Sequence, residues 1–338
     1  MNSDDTVEQS NLAQARAASL EEPRRPVVPG YELESCLGSG SFGEVWSARQ
    51  CSTGQEVAIK LLLHGGLAYL ERELARLRAV SDHPNVLSLI DANLSHHPPY
   101  VVTPRLVRSL ESEPDPPVAR AEAWLEQALR ALEFVHSRGL LHCDLKPANL
   151  LLDREERVRI VDFGQAVTAE DGQVSLGTLF FMPPEQAQPG SPSSTGWDVY
   201  ALGATFYRLL GGQLPRATPE LRQSLKSSGG TRAILERYCS ELPNQVLVPL
   251  RQLNPKVDPD LAAILEHCLE LDPVRRYQTP GAVLADLRNR RDHYPLSCRP
   301  PTPTASWRSL TAASCGSNRT TAASTASGPA GPASRSRS

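Results

Sequence analysis

The chain has 338 residues, of which 40% are hydrophobic, so it can form a sizeable core in one large or two moderate domains. Its net charge of −3 argues against binding to nucleic acid or a membrane surface through bulk electrostatics. The seven cysteines are odd in number and lack CxxC spacing, which favours free thiols in a cytoplasmic protein over a disulfide or zinc framework.

The two ends of the chain differ in composition from its centre. Residues 1–28 are polar, and residues 296–338 are rich in Ser, Thr, Ala and Arg. Such segments bury too little apolar surface to offset their ordering entropy, so we expect disordered ends and a folded unit over 29–295. Val199–Leu210 is the most apolar stretch but is too short for a membrane span, and we interpret it as a buried core helix. No secretory signal is recognisable.

The first part of the folded unit has strand character. Strands are predicted over Tyr31–Leu37, Glu44–Arg49 and Glu56–Leu63, with a glycine-rich turn between the first two. Leu67–Val80 carries apolar residues at helical spacing and is predicted to be an amphipathic helix. The chain then returns to strand character over Val86–Asp91 and again over Tyr100–Thr103.

After Pro117 the apolar periodicity becomes mainly helical. Helices are predicted over Arg120–Arg138, Asp198–Leu210, Asp258–Leu271 and Thr279–Arg290. Local patterns alone therefore indicate only a mixed α/β protein.

The turn between the first two predicted strands is rich in glycine. It reads Gly38-Ser39-Gly40-Ser41-Phe42-Gly43-Glu44-Val45. Glycines let a hairpin approach phosphates closely and point backbone N–H groups at them. Because the turn lies between two strands and does not open a helix, it does not fit a dinucleotide-binding turn. Alone, it is a weak signal for nucleotide binding.

Three further segments concentrate polar groups with complementary chemistry. Val57-Ala58-Ile59-Lys60 places an ammonium on an apolar strand, where an isolated lysine could also simply reach solvent. His142-Cys143-Asp144-Leu145-Lys146-Pro147-Ala148-Asn149 brings together an acid, an ammonium and a carboxamide. Asp162-Phe163-Gly164 adds a second acid after an apolar strand. These groups can hold a magnesium-bound triphosphate against a hydroxyl.

In order and spacing, these motifs resemble the protein kinase family, in its bacterial-type (eukaryotic-like) serine/threonine form. The resemblance implies an α+β, bilobal fold with a small β-rich N-lobe over about 29–105 and a larger, mainly helical C-lobe over about 106–295. It also implies ATP and Mg²⁺ as cofactors. Lys146, two residues after Asp144, is typical of the kinases that act on Ser and Thr and not on Tyr.

The resemblance assigns roles to the polar groups of the last two motifs. Asp144 would accept or orient the proton of the substrate hydroxyl, and Lys146 would neutralise the transferring phosphoryl group. Asn149 and Asp162 would hold magnesium. His142 would pack between the two loops and would not act as a base.

The resemblance also implies a nucleotide site in the first lobe. The whole glycine-rich turn would contact the phosphates, and Lys60 would pair with the α- and β-phosphates. Glu73 on the following helix would align Lys60, with Glu71 as the alternative. Only thirteen positions separate Lys60 from Glu73, fewer than the family usually has, so the helix must begin almost directly after the strand.

An adenine pocket is read from the same resemblance. The residues that would sandwich the base are Leu37, Val45, Ala58 and Leu151. Thr103 occupies the gatekeeper position. Pro104 keeps a carbonyl acceptor and Leu106 keeps an N–H donor, so both hydrogen bonds that adenine needs remain available.

The segment from Gly177-Thr178 to Glu185-Gln186 resembles the end of a kinase activation segment. Thr178 would hydrogen-bond near Asp144 and Lys146 of the catalytic loop, residues 142–149, where a peptide substrate docks. Glu185 would form an interior ion pair with Arg276, which is a folding role. Asp198 would brace the catalytic loop through backbone N–H groups.

The chain departs from the family at Cys143, where an arginine normally clamps a phosphorylated residue of the activation segment. We therefore expect phosphorylation of Thr168 or Ser175 not to be an obligatory switch. Cys143 itself is either an inert thiol or a redox-sensitive one.

The expected function is transfer of the γ-phosphoryl group of ATP to Ser or Thr hydroxyls of protein substrates, with autophosphorylation left open. The alternative is a pseudokinase that acts as a nucleotide-binding scaffold. A kinase of small-molecule hydroxyls is a third reading. The peptide-docking segment argues against that reading, and the intact polar groups argue against the scaffold.

Overall fold

A five-stranded antiparallel sheet forms the first part of the fold. The computed structural model describes residues 26–40, 43–64, 66–163 and 176–299, without the side chains of residues 69, 176 and 177. The strands follow the order β1-β2-β3-β5-β4. Their bounds are β1 Tyr31–Ser39, β2 Gly43–Gln50, β3 Glu56–Leu62, β4 Asp91–Asn93 and β5 Tyr100–Pro104.

Burial along β3 alternates with the period of two that a half-buried strand requires. Val57, Ile59 and Leu61 are fully buried in the core of the small lobe, whereas Ala58 and Lys60 between them are partly exposed. Helix α1, Leu67–Val80, spans the residues predicted for it. Its apolar positions pack against the end of β3 and against β5.

One strand prediction was wrong. Val86–Asp91 was expected to form a strand, but the strand in this region, β4, covers only Asp91–Asn93. Val86 forms an isolated bridge with Ile160, and the N–H of Leu87 donates to the Ile160 carbonyl. This apolar stretch therefore makes single hydrogen bonds, to Ile160 of the other lobe and through Ile90 to Val102 of β5, in place of a ladder.

Helices dominate the second part of the fold. They are α2 Val118–Ser137, α3 Leu176–Leu179, α4 Thr195–Gly211, α5 Pro219–Lys226, α6 Gly230–Glu241, α7 Leu250–Leu253, α8 Pro259–Cys268 and α9 Pro280–Arg291. A small sheet of β6 Arg108–Ser109, β7 Leu150–Leu152 and β8 Val158–Ile160 lies at the start of this part. This arrangement confirms the predicted α+β fold with a small β-rich lobe and a larger helical lobe.

The predicted helix starts at Asp258 and Thr279 were one residue early, because both residues are N-caps. The Asp258 side chain accepts from the N–H groups of Asp260 and Leu261, and Thr279 accepts from Ala282. Each cap is followed by proline at the first helical position, where a missing N–H costs nothing.

Helix α4 is the centre of the large lobe, as predicted from its apolar sequence. Nearly all of its residues are buried. A Cβ atom added at Gly203 would lie 2.5 Å from the Cβ atom of Cys268, so glycine permits the close packing of α4 on α8. Within the described ranges, no helix is both long and apolar enough to cross a membrane.

The predicted domain limits at 29 and 295 and the predicted disorder of both ends stay predictions, because most of the end residues lie outside the described ranges.

Candidate active site

The glycine-rich turn joins β1 to β2. The N–H of Gly40 donates to the Gly43 carbonyl at 2.8 Å, and the N–H of Gly43 donates back at 3.3 Å. A Cβ atom at Gly43 would lie 1.8 Å from the Leu61 carbonyl oxygen, so a side chain there collides with β3. Gly38 and Gly40 face open space. Ser41 and Phe42, also expected to contact phosphates, lie outside the described residues.

Lys60 on β3 forms an ion pair with Glu73 on α1. Its Nζ lies 2.6 Å from Oε2 and 2.9 Å from Oε1 of Glu73. Glu71, the alternative partner, is exposed on the same helix. The short connection to α1 is accommodated at Gly66, whose φ of 78° is a left-handed conformation that favours glycine.

The three polar side chains of the catalytic loop contact one another. Lys146 Nζ lies 2.8 Å from Oδ2 of Asp144. Asn149 Nδ2 donates to the Asp144 backbone carbonyl at 2.7 Å and to its Oδ2 at 3.1 Å. A single 3₁₀ turn over Pro147–Asn149 returns Asn149 toward Asp144. Since the amide nitrogen is used, the amide oxygen of Asn149 remains suited to bind a cation.

Asp162 follows β8 and is brought close to Asn149 by the backbone. The N–H of the preceding residue, Val161, donates to the Asn149 carbonyl at 3.1 Å. Asp162 has a φ of 64°, which is uncommon for a residue other than glycine. Its carboxylate and the Asn149 amide oxygen are ligands of the type that Mg²⁺ prefers.

A magnesium site of this kind needs few protein ligands. The residues that the structure describes contain no group of three or more His, Cys, Asp or Glu side chains placed to hold a metal ion. One carboxylate and one amide oxygen, completed by phosphate oxygens and water, form a site typical of magnesium bound with a nucleotide. The donor set therefore fits the ion.

Strand register places part of the predicted adenine pocket on one face of the sheet. Val45 pairs with Lys60, and Ala58 pairs with Thr103. Pro104 ends β5, and Leu106 lies in the link between β5 and β6. The remaining two residues are Leu37, which is about half exposed on β1, and Leu151 on β7 of the large lobe.

Asp198, in the first turn of α4, holds the catalytic loop in place through hydrogen bonds to its backbone. It accepts the N–H groups of His142 at 2.9 Å and Cys143 at 2.8 Å, which confirms the predicted contact. It also contacts Nε2 of His136 at 2.8 Å. Burial alone would raise the pKa of Asp198. The hydrogen bonds and electrostatic attraction from His136 and His142 outweigh burial and hold that pKa below its ordinary value. His136 was missed because nothing in its local pattern links it to Asp198.

Cys143 has the environment of an inert thiol. Burial, reinforced by the negative charge of Asp198, raises the pKa of its thiol to about 12. Its carbonyl accepts a hydrogen bond from Nε2 of Gln186 at 2.8 Å. Gln186, which the sequence analysis did not single out, thus ties the end of the activation segment to the catalytic loop.

His142 and Phe163 pack against each other between the two loops. Their ring centroids are 5.1 Å apart at an angle of 61°, and His142 Nε2 lies 2.8 Å from the Val161 carbonyl. The packing role predicted for His142 is confirmed. Arg76 of α1 donates to the Phe163 carbonyl at 3.1 Å. Its position three residues after Glu73, on the same helix face, is the signal that could have found it.

The end of the activation segment is anchored in the large lobe. Arg276 is fully buried and donates to Glu185 at 2.7 Å and to the Gly196 carbonyl at 2.9 Å, which confirms the predicted ion pair. Thr178 and Lys146 line one cavity of about 520 Å³. Thr168 and Ser175 lie outside the described residues.

Comparison with known proteins agrees with this geometry. The model of the protein kinase domain family matches residues 31–286. The chain is 31% identical over 295 residues to serine/threonine-protein kinase PknA of Mycobacterium tuberculosis, a match that covers 80% of this chain and 64% of that protein. It is 31% identical over 280 residues to PknB of Mycolicibacterium smegmatis, covering 76% of this chain and 42% of that protein.

A third relative is the DNA damage-responsive serine/threonine-protein kinase RqkA of Deinococcus radiodurans. The identity is 33% over 290 residues, covering 78% of this chain and 40% of that protein. The chain thus spans between 40% and 64% of the length of these three curated relatives. Since the family model covers most of the chain and its polar motifs lie where the fold requires them, the chain belongs to the protein kinase family.

Proposed function

We propose that this protein is an ATP- and magnesium-dependent serine/threonine protein kinase that transfers the γ-phosphoryl group to Ser or Thr hydroxyls of proteins. The observation that carries the proposal is the hydrogen-bonded set of Asp144, Lys146 and Asn149. These side chains hold an acceptor, a compact cation and a metal-binding oxygen in one place. Phosphoryl transfer relies mainly on such positioning and charge neutralisation.

Each of the three side chains has a separate task in this proposal. Asp144 orients the substrate hydroxyl and accepts its proton. Lys146, already paired with Asp144 at 2.8 Å, stabilises the charge of the phosphoryl group in flight. The amide oxygen of Asn149 and the carboxylate of Asp162 hold magnesium, which when bound neutralises charge on the β- and γ-phosphates.

The nucleotide is held mainly by the small lobe in this proposal. Lys60, oriented by Glu73, pairs with the α- and β-phosphates, and the glycine-rich turn covers the phosphates with backbone N–H groups. The adenine ring lies between the apolar residues of both lobes and bonds to Pro104 and Leu106. Gly43 has a further reason to be glycine, because a side chain at this position would collide with the Leu61 carbonyl of β3 and displace the turn.

Regulation by phosphorylation of the activation segment is not obligatory in this proposal. Cys143 supplies no guanidinium, so the usual charge that would clamp a phosphate beside Asp144 is missing. Replacing Thr168 and Ser175 together by alanine should leave most of the transfer activity. Loss of all activity in that variant would show that the segment is a required switch.

The expected partners are protein substrates, and autophosphorylation belongs to the same chemistry. The cavity that Thr178 shares with Lys146 gives a peptide a place to dock beside the acceptor site. A cytoplasmic location is proposed because all six cysteines among the described residues are free thiols, as in a reducing compartment.

Incubation with Mg²⁺, labelled ATP and a generic basic protein tests the proposal. Wild type should incorporate phosphate, and Asp144→Asn should reduce the rate by about 10²–10⁴-fold because the proton acceptor is lost. Asp82→Asn, an exposed acid outside the site, is the matched control. Equal labelling by Asp144→Asn and wild type would contradict the proposal. ATP binding by wild type without transfer would support the nucleotide-binding scaffold instead.

A further inference from the structure

A second cavity, of about 420 Å³, lies away from the catalytic loop. It is formed by the adjoining ends of β2 and β3 with their turn, by the end of β5 and the link after it, which include Pro104 and Leu106 of the proposed adenine pocket, and by the β7–β8 turn with the start of β8. We name it the arginine cavity, after the arginines that line it. These are Arg49, Arg105, Arg154, Arg157 and Arg159. Its volume is in the range of ligand sites and could hold several side chains of a peptide.

Positive charge exceeds negative charge in the arginine cavity. Its lining contains five arginines and three acids, Glu56, Asp153 and Glu155, which leaves two positive charges. Glu34 outside the lining pairs with Arg49 at 3.1 Å and reduces the excess to one. The cavity is therefore positive even when the carboxylates that form ion pairs with its arginines within the described residues are counted.

The carboxylates are shared between guanidinium groups. Asp153 Oδ2 accepts from Arg157 at 2.9 Å and from Arg159 at 3.0 Å. Glu56 Oε2 lies 2.7 Å from Arg154 and 3.6 Å from Arg105. A guanidinium has five N–H donors. When two arginines share one carboxylate, some of these N–H groups do not bond to that carboxylate and can bind a further acceptor.

Several of these guanidinium groups are accessible. The side chains of Arg49, Arg154 and Arg157 are 47%, 67% and 49% exposed. Arginine binds carboxylates in a two-pronged geometry that is stronger than a neutral hydrogen bond. The arginine cavity therefore has the chemistry of a site for a chain with several carboxylates.

The N-terminal segment of the protein carries several carboxylates, and two arginines, Arg24 and Arg25, follow it. Residues 1–22 contain five acids, Asp4, Asp5, Glu8, Glu21 and Glu22, and one basic residue, Arg16. The chain enters the described fold at Pro26, and the carbonyl of Gly30 accepts from the N–H of Cys51 at 2.9 Å. Cys51 belongs to the same β2–β3 turn whose residues Gly54 and Gln55 line the cavity.

We propose that the arginine cavity binds the acidic segment 1–22 of the same chain through carboxylate–guanidinium pairs. The site joins the small lobe at Arg49 to the β7–β8 turn at Arg154 and Arg157, two regions that the Arg154–Glu56 pair already connects. Occupation by the segment adds further contacts across this boundary. The proposal does not depend on catalytic turnover, so its test is a binding measurement.

The receptor for the test is the full-length protein with the five acids of residues 1–22 replaced by Asn or Gln, here named the neutral-arm protein. A fluorescein-labelled peptide of the natural residues 1–22 is titrated with it, and fluorescence anisotropy reports binding. We expect saturable binding that weakens in high salt. Wild type should bind the peptide about tenfold more weakly, because its own segment competes at high effective concentration.

The site is tested by Arg49→Gln with Arg157→Gln in the neutral-arm protein. This pair should weaken peptide binding by about tenfold, since two accessible guanidinium groups are lost. The matched control is Arg130→Gln with Arg232→Gln, two exposed arginines elsewhere, which should leave binding unchanged. Thermal unfolding checks the fold, and Arg154→Gln replaces the double variant if that variant is unfolded.

Three results would overturn the proposal. The first is equal binding by the cavity variant and its control. The second is equal binding of the natural peptide and a peptide whose acids are replaced by Asn and Gln. The third is equal binding by wild type and the neutral-arm protein.

Discussion

The two lobes hold their halves of the active site in different ways. In the small lobe, Lys60 depends on an ion pair with Glu73, and the lysine side chain is 39% exposed. In the large lobe, Asp198 and Arg276 are buried, and each makes several hydrogen bonds. Breaking a buried ion pair costs about 3–5 kcal/mol, whereas exposed pairs contribute about 0–1 kcal/mol.

Because of this difference, we expect the residues that determine stability to differ from those that determine the rate of phosphoryl transfer. The groups that brace the catalytic loop belong to the core of the large lobe, so the loop is positioned as part of folding. In the pair that orients Lys60 the cation reaches solvent, so we expect this pair to contribute less to stability than the Arg276–Glu185 pair, whose cation is buried. Substitutions in the large-lobe network should therefore lower the free energy of unfolding, whereas substitutions in the small-lobe pair should mainly change the rate of phosphoryl transfer.

The largest effect is expected for Arg276→Met. The change leaves Glu185 without its cation and removes the bond to the Gly196 carbonyl, so the unfolding free energy should fall by about 3–5 kcal/mol in urea denaturation. Arg232→Met is the control, because that side chain is 90% exposed and forms a surface ion pair with Glu236. A loss below about 1 kcal/mol in Arg276→Met would refute the contrast between the lobes.

Asp198→Asn should cost about 1.5–3 kcal/mol at neutral pH, because a buried carboxylate that is hydrogen-bonded to His136 and to two backbone N–H groups is lost. The pKa of Asp198 is lowered by folding, so its contribution is present above the unfolded pKa of about 3.9 and is lost as pH falls through the folded value. The stability difference between wild type and variant should therefore shrink below about pH 4. A difference that grows with acid would contradict this assignment.

Gly43→Ala should lower the unfolding free energy by roughly 1–3 kcal/mol, because the new Cβ meets the Leu61 carbonyl and β2 must shift. Gly40→Ala, on the other side of the same turn, has open space and should change stability little. Thermal unfolding of the two variants compares them directly. Equal melting temperatures would mean that the turn tolerates displacement.

Glu73→Gln is expected to have the smallest effect on stability. The unfolding free energy should change by less than about 1 kcal/mol, while the transfer rate should fall by about 10²-fold because Lys60 loses its orientation. Glu71→Gln on the same helix is the matched control and should keep both properties. If Glu73→Gln lowers the free energy of unfolding by more than this, the Lys60–Glu73 pair contributes to stability as the buried ion pair of the large lobe does.

Sequence patterns predicted an element correctly where that element makes its backbone hydrogen bonds within itself, as a helix does. Helix α1 carries its own 3.6-residue period and was predicted at its observed bounds. Val86–Asp91 has strand composition, but its hydrogen bonds depend on Ile160 and Val102 in other elements. A strand forms only where a neighbouring strand accepts and donates its backbone hydrogen bonds. A single sequence does not show where that neighbouring strand ends.

The site shows the same division. Resemblance to the family identified Glu73, Asp198 and the Glu185–Arg276 pair, because these lie at fixed distances from recognisable motifs. Gln186 bonds to a backbone carbonyl, a contact that any neighbouring amide could make, and it was missed. The arginine cavity was also missed, because its arginines come from β2, from the link between β5 and β6 and from the β7–β8 turn with β8, and no local spacing connects these segments.

The most direct test of the account is the rate of phosphate transfer from labelled ATP in four single variants. These are Lys60→Met, Asp144→Asn, Asn149→Ala and Asp162→Asn, each checked for folding and compared with Asp82→Asn. We expect the rate of phosphate transfer to fall by about 10²-fold or more in all four folded variants, because the four groups act on one nucleotide. Wild-type transfer by any one of the four would contradict it.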